Sequence, residues 1–214
     1  MAAIPKQQFI ELFFDAFEQK IARLQELRKD FPDEAFTLSV LYIDRLASGR
    51  FGGKAGQNGK NFCRALRELS GNPLFRTIHP RHLKGRAQPY CLSAAPFIES
   101  VISRQPSALL DEDELAGEIQ NSSLLDNEKA KLIDNLWRGT IANIVYELVR
   151  NPEVHGSGSG GLSFDATEYK GRTGVTLDFK EFYDALKQIL QSVRKVSMET
   201  GHWYGNPNYL KHRH

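Results

Sequence analysis

The 214-residue chain reads as mainly α-helical, a bundle within one domain over residues 1–214, with a small β-hairpin before the last helix. Three observations predict this. Long stretches repeat apolar residues three and four apart, the spacing that gives a helix one apolar face. Only one region has hairpin patterning: "LSFDATEY" and "TGVTLDF" flank the turn "KGR". Hydrophobic residues make up 41% and charged residues 25%, a globular balance in a chain long enough to bury a core.

Net charge is +2 and the pI is about 8.5, which excludes a strongly cationic protein that coats DNA but leaves room for a local basic site. Cys63 and Cys91 are the only cysteines, so neither a disulfide framework nor a cysteine-rich zinc site is expected, and a reducing compartment fits. The start "MAAIPKQQFIELFFDAF" lacks the pattern of a signal peptide. No apolar run approaches the roughly 18 residues of a membrane span. A cytoplasmic protein without membrane contact is expected.

Phe9, Ile10, Phe13, Phe14, Phe17, Ile21, Leu24 and Leu27 predict a long first helix over 7–29. After Pro32, Asp33 is the expected cap of a second helix carrying Phe36, Val40, Ile43 and Leu46. This helix should stop at "SGRFGGKAGQNGK". Gly56, Gly59 and Lys60 do not make a phosphate loop, because Asn61 stands where Ser or Thr is required and a helix precedes the glycines. A flexible connector is expected there. "NFCRALREL" resumes helical spacing, and "GNPLFRTIHPRHLKGRAQPY" is broken by Pro73, Pro80 and Pro89 into loop. His79 and His82 sit three apart, but Pro80 lies between them and no third ligand is evident, so solvated loop histidines are expected and no metal or other cofactor is predicted.

"AAPFIESVISR" predicts a short helix and "LDEDELAGEI" an acidic helix start, where carboxylates suit the positive dipole end. Leu132, Ile133, Leu136, Trp137, Ile141, Ile144, Val145, Leu148 and Val149 predict one regular helix over about 126–150. Asp178 should cap a last helix with Phe182, Leu186, Ile189, Leu190 and Val193 inward, and the tail should be irregular from about 197.

On that regular helix, at about 100° per residue, Asn135, Gly139, Asn143 and Tyr146 fall within about 60° of Arg150, opposite the apolar face. Gly139 in mid-helix is unfavourable by about 1 kcal/mol against alanine, and on a free stripe it would let another helix approach. Pro152 then breaks the helix, Asn151 suits a cap, and Gly156 ends a single turn that directs His155 back toward Arg150.

Arg150-Asn151-Pro152-Glu153-Val154-His155 resembles the Arg-x-x-x-x-His signature of the HEPN superfamily (higher eukaryotes and prokaryotes nucleotide-binding). "LYIDRLASGRF" and "NFCRAL" also resemble the early helices of its stand-alone bacterial members, and a hairpin with a closing helix follows the motif in both. The likeness is diffuse over about 7–195 and sharp at 150–156. It implies a metal-independent endoribonuclease, often a toxin or antiviral effector, that dimerises so that two motifs share one cleft; an antitoxin partner belongs to the same picture. It implies catalytic roles for Arg150 and His155, with Asn151 as accessory. Asn143, Tyr146 and Ser157 are the candidates for contacting RNA. Pro152 inside the motif stiffens it and bears on the distance from Arg150 to His155.

The chemistry fits the residue types. Histidine titrates near neutrality and can move the ribose 2′-hydroxyl proton, and arginine offers a charged fork to phosphate oxygens. Two other readings of the same residues stand beside this one. The first is a non-catalytic RNA- or nucleotide-binding module. The second is purely structural, with Arg150 neutralising a helix end and His155 closing a turn.

Overall fold

A computed structural model describes residues 6–52, 56–86, 88–104, 109–147 and 179–209, and these are mainly helical. The hairpin region, Asp178 and the motif residues Arg150, Asn151, His155 and Ser157 lie outside the described residues.

The apolar spacing of the first segment yields α1 (Lys6–Asp30), which buries Ile10, Phe14, Phe17, Ile21 and Leu24 along one face. Helix α2 (Pro32–Phe51) starts with proline at a position where its missing N–H is not needed. Its cap position is Phe31 without a side-chain hydrogen bond, and Asp33 instead lies in the first turn. The next helix, α3 (Asn58–Leu69), buries Phe62, Cys63, Ala65 and Leu66.

Both ends of the glycine-rich stretch are helical, and residues 53–55 at the middle of the expected connector lie outside the described residues. Gly49 is in the last turns of α2 and Gly59 in the first turn of α3. Asn61 Nδ2 donates to the Gly52 carbonyl at 2.6 Å and ties the two helix ends together.

With the last described helix, α9 (Phe179–Thr200), these three helices enclose the larger core, which also takes in Phe75, Ile141, Ala142, Val145 and Tyr204. A smaller core is built on α4 (Pro80–Arg86), α5 (Ala95–Arg104), α6 (Glu112–Gln120) and α7 (Asp126–Asn135). Leu83, Ile98, Val101, Leu115, Ile119 and Leu132 meet there. Asp111 caps α6, its Oδ1 accepting from the N–H groups of Asp113 at 2.8 Å and Glu114 at 3.1 Å. Two arginines join the cores from the side: Arg67 pairs with Glu112, and Arg76 Nη2 lies 2.6 Å from Asp113. Extended backbone at Ile78 joins them from inside, bridging antiparallel to both Leu110 and Thr140.

That bridge overturns the single helix over 126–150. Helix α7 stops at Asn135, a 3-10 turn covers Leu136–Gly139, Thr140 is extended, and α8 (Ile141–Val145) starts anew. The physical cause is the competition for backbone groups. Ile141 N–H donates to the Thr77 carbonyl at 2.9 Å and His79 N–H to the Gly139 carbonyl at 3.0 Å. The proposed stripe is lost with the winding: Gly139 and Asn143 are both buried within the chain. Gly139 allows close approach, but of Leu83 and Ile78 from its own chain.

Helix α9 (Phe179–Thr200) turns Phe182, Leu186, Ile189, Leu190 and Val193 inward, as the pattern predicts. Beyond it the chain is irregular yet packed. Tyr204 adopts φ 54°, a left-handed conformation rare for a side chain of this size, and is buried among Phe13 and Phe14. Arg50 Nη1 donates to the Gly205 carbonyl at 3.0 Å and Asn206 Nδ2 to the Gly49 carbonyl at 3.0 Å, clamping the tail to the end of α2. Among the described residues no helix is long and apolar enough to cross a membrane.

The Tyr204 ring lies flat on Gly49. A Cβ there would come within 2.5 to 2.7 Å of three ring carbons, and the ring has no room to retreat. Gly49→Ala should therefore destabilise the fold by about 1–3 kcal/mol through overpacking, read as a lower urea midpoint at unchanged slope. An unchanged midpoint would show that the tail is not part of the folding unit.

Candidate functional site

Between the two cores the apolar contacts give way to a polar cluster, assembled from α3, α4 and α8. Its hub is Asn143, 4% exposed. Thr140 caps α8, its hydroxyl donating to the Trp137 carbonyl at 2.7 Å and accepting from Asn143 N–H at 3.4 Å. That cap sets the direction in which the Asn143 side chain leaves the helix.

The Asn143 amide nitrogen faces three acceptors: the Arg138 carbonyl at 2.8 Å, Glu147 Oε1 at 3.2 Å and His82 Nε2 at 3.4 Å. An amide has two N–H groups, so the imidazole takes the weakest share. The amide oxygen accepts from the buried Cys63 thiol at 3.8 Å. Glu147 is held from its other oxygen, which lies 2.6 Å from Arg86 Nη2 and 3.9 Å from His82 Nε2.

Burial pushes the Cys63 thiol well above its ordinary range, so the group stays protonated and serves as a donor. Burial, reinforced by the Arg86 charge and by His79, brings His82 down to about 4. Glu147 does not offset this, because Arg86 and Asn143 already engage its carboxylate. His79 is lowered too, by burial and then by Arg81. Neither histidine is the solvated loop residue that the prolines suggest: His82 sits on α4, whose first residue is Pro80, a favoured position for proline. Among the described residues no group of three or more His, Cys, Asp or Glu side chains is placed to hold a metal ion.

The neutral His82 has a consequence for stability. The unfolded chain takes up this proton near 6.5 and the folded chain only near 4, so acid favours unfolding across that interval. Its stabilising effect is complete above about pH 6.5 and is lost as pH falls toward 4. His82→Gln keeps an acceptor for Asn143 and does not titrate. Between pH 7 and 4.5 the wild type should lose on the order of 1–2 kcal/mol more than this variant, after discounting for solvent screening. Parallel stability curves for the two proteins would contradict a buried neutral imidazole.

Of the candidates from the sequence, Asn143 is at the centre of the cluster, but it is buried with its amide engaged by protein groups, so it does not contact RNA as the sequence suggests. Tyr146 is half-buried one turn later, its ring 5.6 Å from that of Phe62 and pressed against Gly59 of α3. The chain winds more loosely, as a π turn, at Tyr146 and Glu147, immediately before the segment that leads to Arg150. Such local widening is frequent at functional sites.

Sequence reasoning missed His82, Arg86, Glu147 and Cys63. One signal was available: between Glu68 and Glu99 the chain has no acidic residue, while it carries Arg76, Arg81, Lys84 and Arg86. Helix α4 concentrates three of these cations in two turns beside α8. Lys84 pairs with Glu99 and Arg86 with Glu147, so part of this charge is met within the chain, and the Glu147 carboxylate links Arg86 to Asn143.

Compared with protein-family models, curated proteins and solved structures, the chain matches none.

Proposed function

We propose that this protein is a metal-independent endoribonuclease of HEPN type. His155 moves the proton of the ribose 2′-hydroxyl, Arg150 stabilises charge on the phosphorane, and Asn151 assists. Ser157 contributes a hydroxyl to the phosphate. The observation that carries this reading is the acid-free basic helix α4, which packs against the Leu136–Gly139 turn and reaches Asn143 and Glu147 through His82 and Arg86. A short helix rich in exposed cations is the kind of electrostatic feature expected for a nucleic-acid substrate. Arg150, three residues beyond Glu147, follows a braced turn, and positioning of this kind is what a site without a metal depends on. In this proposal two copies meet so that their motifs share one cleft, through a surface other than Gly139. A non-cleaving RNA-binding protein would use the same charges.

Incubation of the purified protein with labelled single-stranded RNA in excess EDTA tests the chemistry. The expected products carry a 2′,3′-cyclic phosphate, and a substrate with a single 2′-deoxynucleotide at the cut site should resist. Dependence on added magnesium, or cleavage of the deoxy-substituted linkage, would overturn the mechanism. Binding without cleavage would leave the non-catalytic reading.

A further inference from the structure

Tyr90 ends a short 3-10 turn directly after α4 and keeps 55% of its surface exposed, high for a large aromatic residue. It is not a loose side chain. The Arg138 guanidinium lies 3.9 Å from its ring centroid and 4.6 Å from that of Trp137. Arg138 Nε donates to Asn135 Oδ1 at 2.8 Å, which fixes the plane of the guanidinium. The Arg138 carbonyl in turn accepts from Asn143, so this stack is anchored to the hub of the polar cluster.

Arg86, four residues before Tyr90, is 53% exposed. It approaches Glu147 through one nitrogen, and a guanidinium has five N–H donors to share. An exposed ring backed by a cation offers one flat face to a planar ligand, and the exposed Arg86 guanidinium at the end of the preceding helix offers a fork to an oxyanion. A nucleotide combines these two features. Stacking needs a base whose face is free, which selects single strands, loops and bulges over duplex.

We propose that Tyr90, backed by Arg138, together with Arg86 forms a subsite that stacks one unpaired base of single-stranded RNA and holds its phosphate. The subsite rests on the reading of this protein as one that binds RNA and not on cleavage.

The test is fluorescence anisotropy with a fluorescein-labelled 2′-O-methyl decauridine, which binds but cannot be cleaved. Tyr90→Ala should weaken binding about 10-fold, within the range found for loss of one base–aromatic stack, and Tyr90→Phe should stay within about twofold. Arg86→Gln should weaken binding and lower the slope against log salt by about one, while Arg86→Lys keeps the slope. Tyr90→Ala binding like wild type, or Tyr90→Phe failing like Tyr90→Ala, overturns the proposal. Competition by duplex RNA or by polyglutamate as effective as that by unlabelled single strand overturns it too. If wild type cleaves no RNA yet binding depends on Tyr90, the subsite stands and the ribonuclease reading falls. If Tyr90→Ala both binds and cleaves as wild type does, the subsite falls and that reading stands.

Discussion

His155→Ala should lower the rate of RNA cleavage about 100-fold or more, the contribution typical of a positioned acid–base group. Arg150→Ala should lose a comparable factor, since removal of one charged donor to the developing oxyanion often removes 100-fold or more. Arg150→Lys should recover little, because a point charge does not reproduce the fork. The pH dependence separates His155 from His82. Burial lowers His79 and brings His82 down to about 4, so His82 gives no titration near pH 6.5. An inflection of the cleavage rate near pH 6–7 that disappears in His155→Ala assigns the proton transfer to that residue. A full rate in either alanine variant would remove the motif from the mechanism.

The polar cluster was beyond the reach of periodicity for a concrete reason. Asn143 meets His82 across 61 positions and Cys63 across 80, and helical spacing carries information over a few turns only. What local pattern could supply, it supplied: α1 and α9 follow their apolar spacing nearly to the residue, and Asp111 caps α6. The broken helix was partly legible. Gly139-Thr140 is a helix stop followed by a good cap, and the apolar residues on both sides masked it by preserving an average period. The tail is irregular, as its composition suggests, yet the left-handed turn at Tyr204 places a large ring in the core, which no local pattern signals.

Gly139→Trp should prevent folding, not merely separate subunits. As part of a free stripe, a tryptophan at this position would disturb only an interface and leave a folded monomer. The structure reverses that expectation. A Cβ at Gly139 would lie 2.8 Å from Leu83 Cβ and 3.1 Å from Ile78 Cγ2, both in the centre of the smaller core. The neighbours have little freedom to shift. Ile78 is held by its bridges to Leu110 and Thr140, and His79 N–H donates to the Gly139 carbonyl itself. Even Gly139→Ala should destabilise by about 1–3 kcal/mol, the usual range for a methyl group forced into a filled interior. An indole starts from the same crowded Cβ and adds a large ring beyond it. The alanine variant should therefore melt several degrees lower, with the Ile78, His79 and Leu110 amides exchanging faster with deuterium. The tryptophan variant should lack a cooperative transition altogether. A Gly139→Trp protein with the wild-type melting temperature would show that these two chain segments do not pack as described.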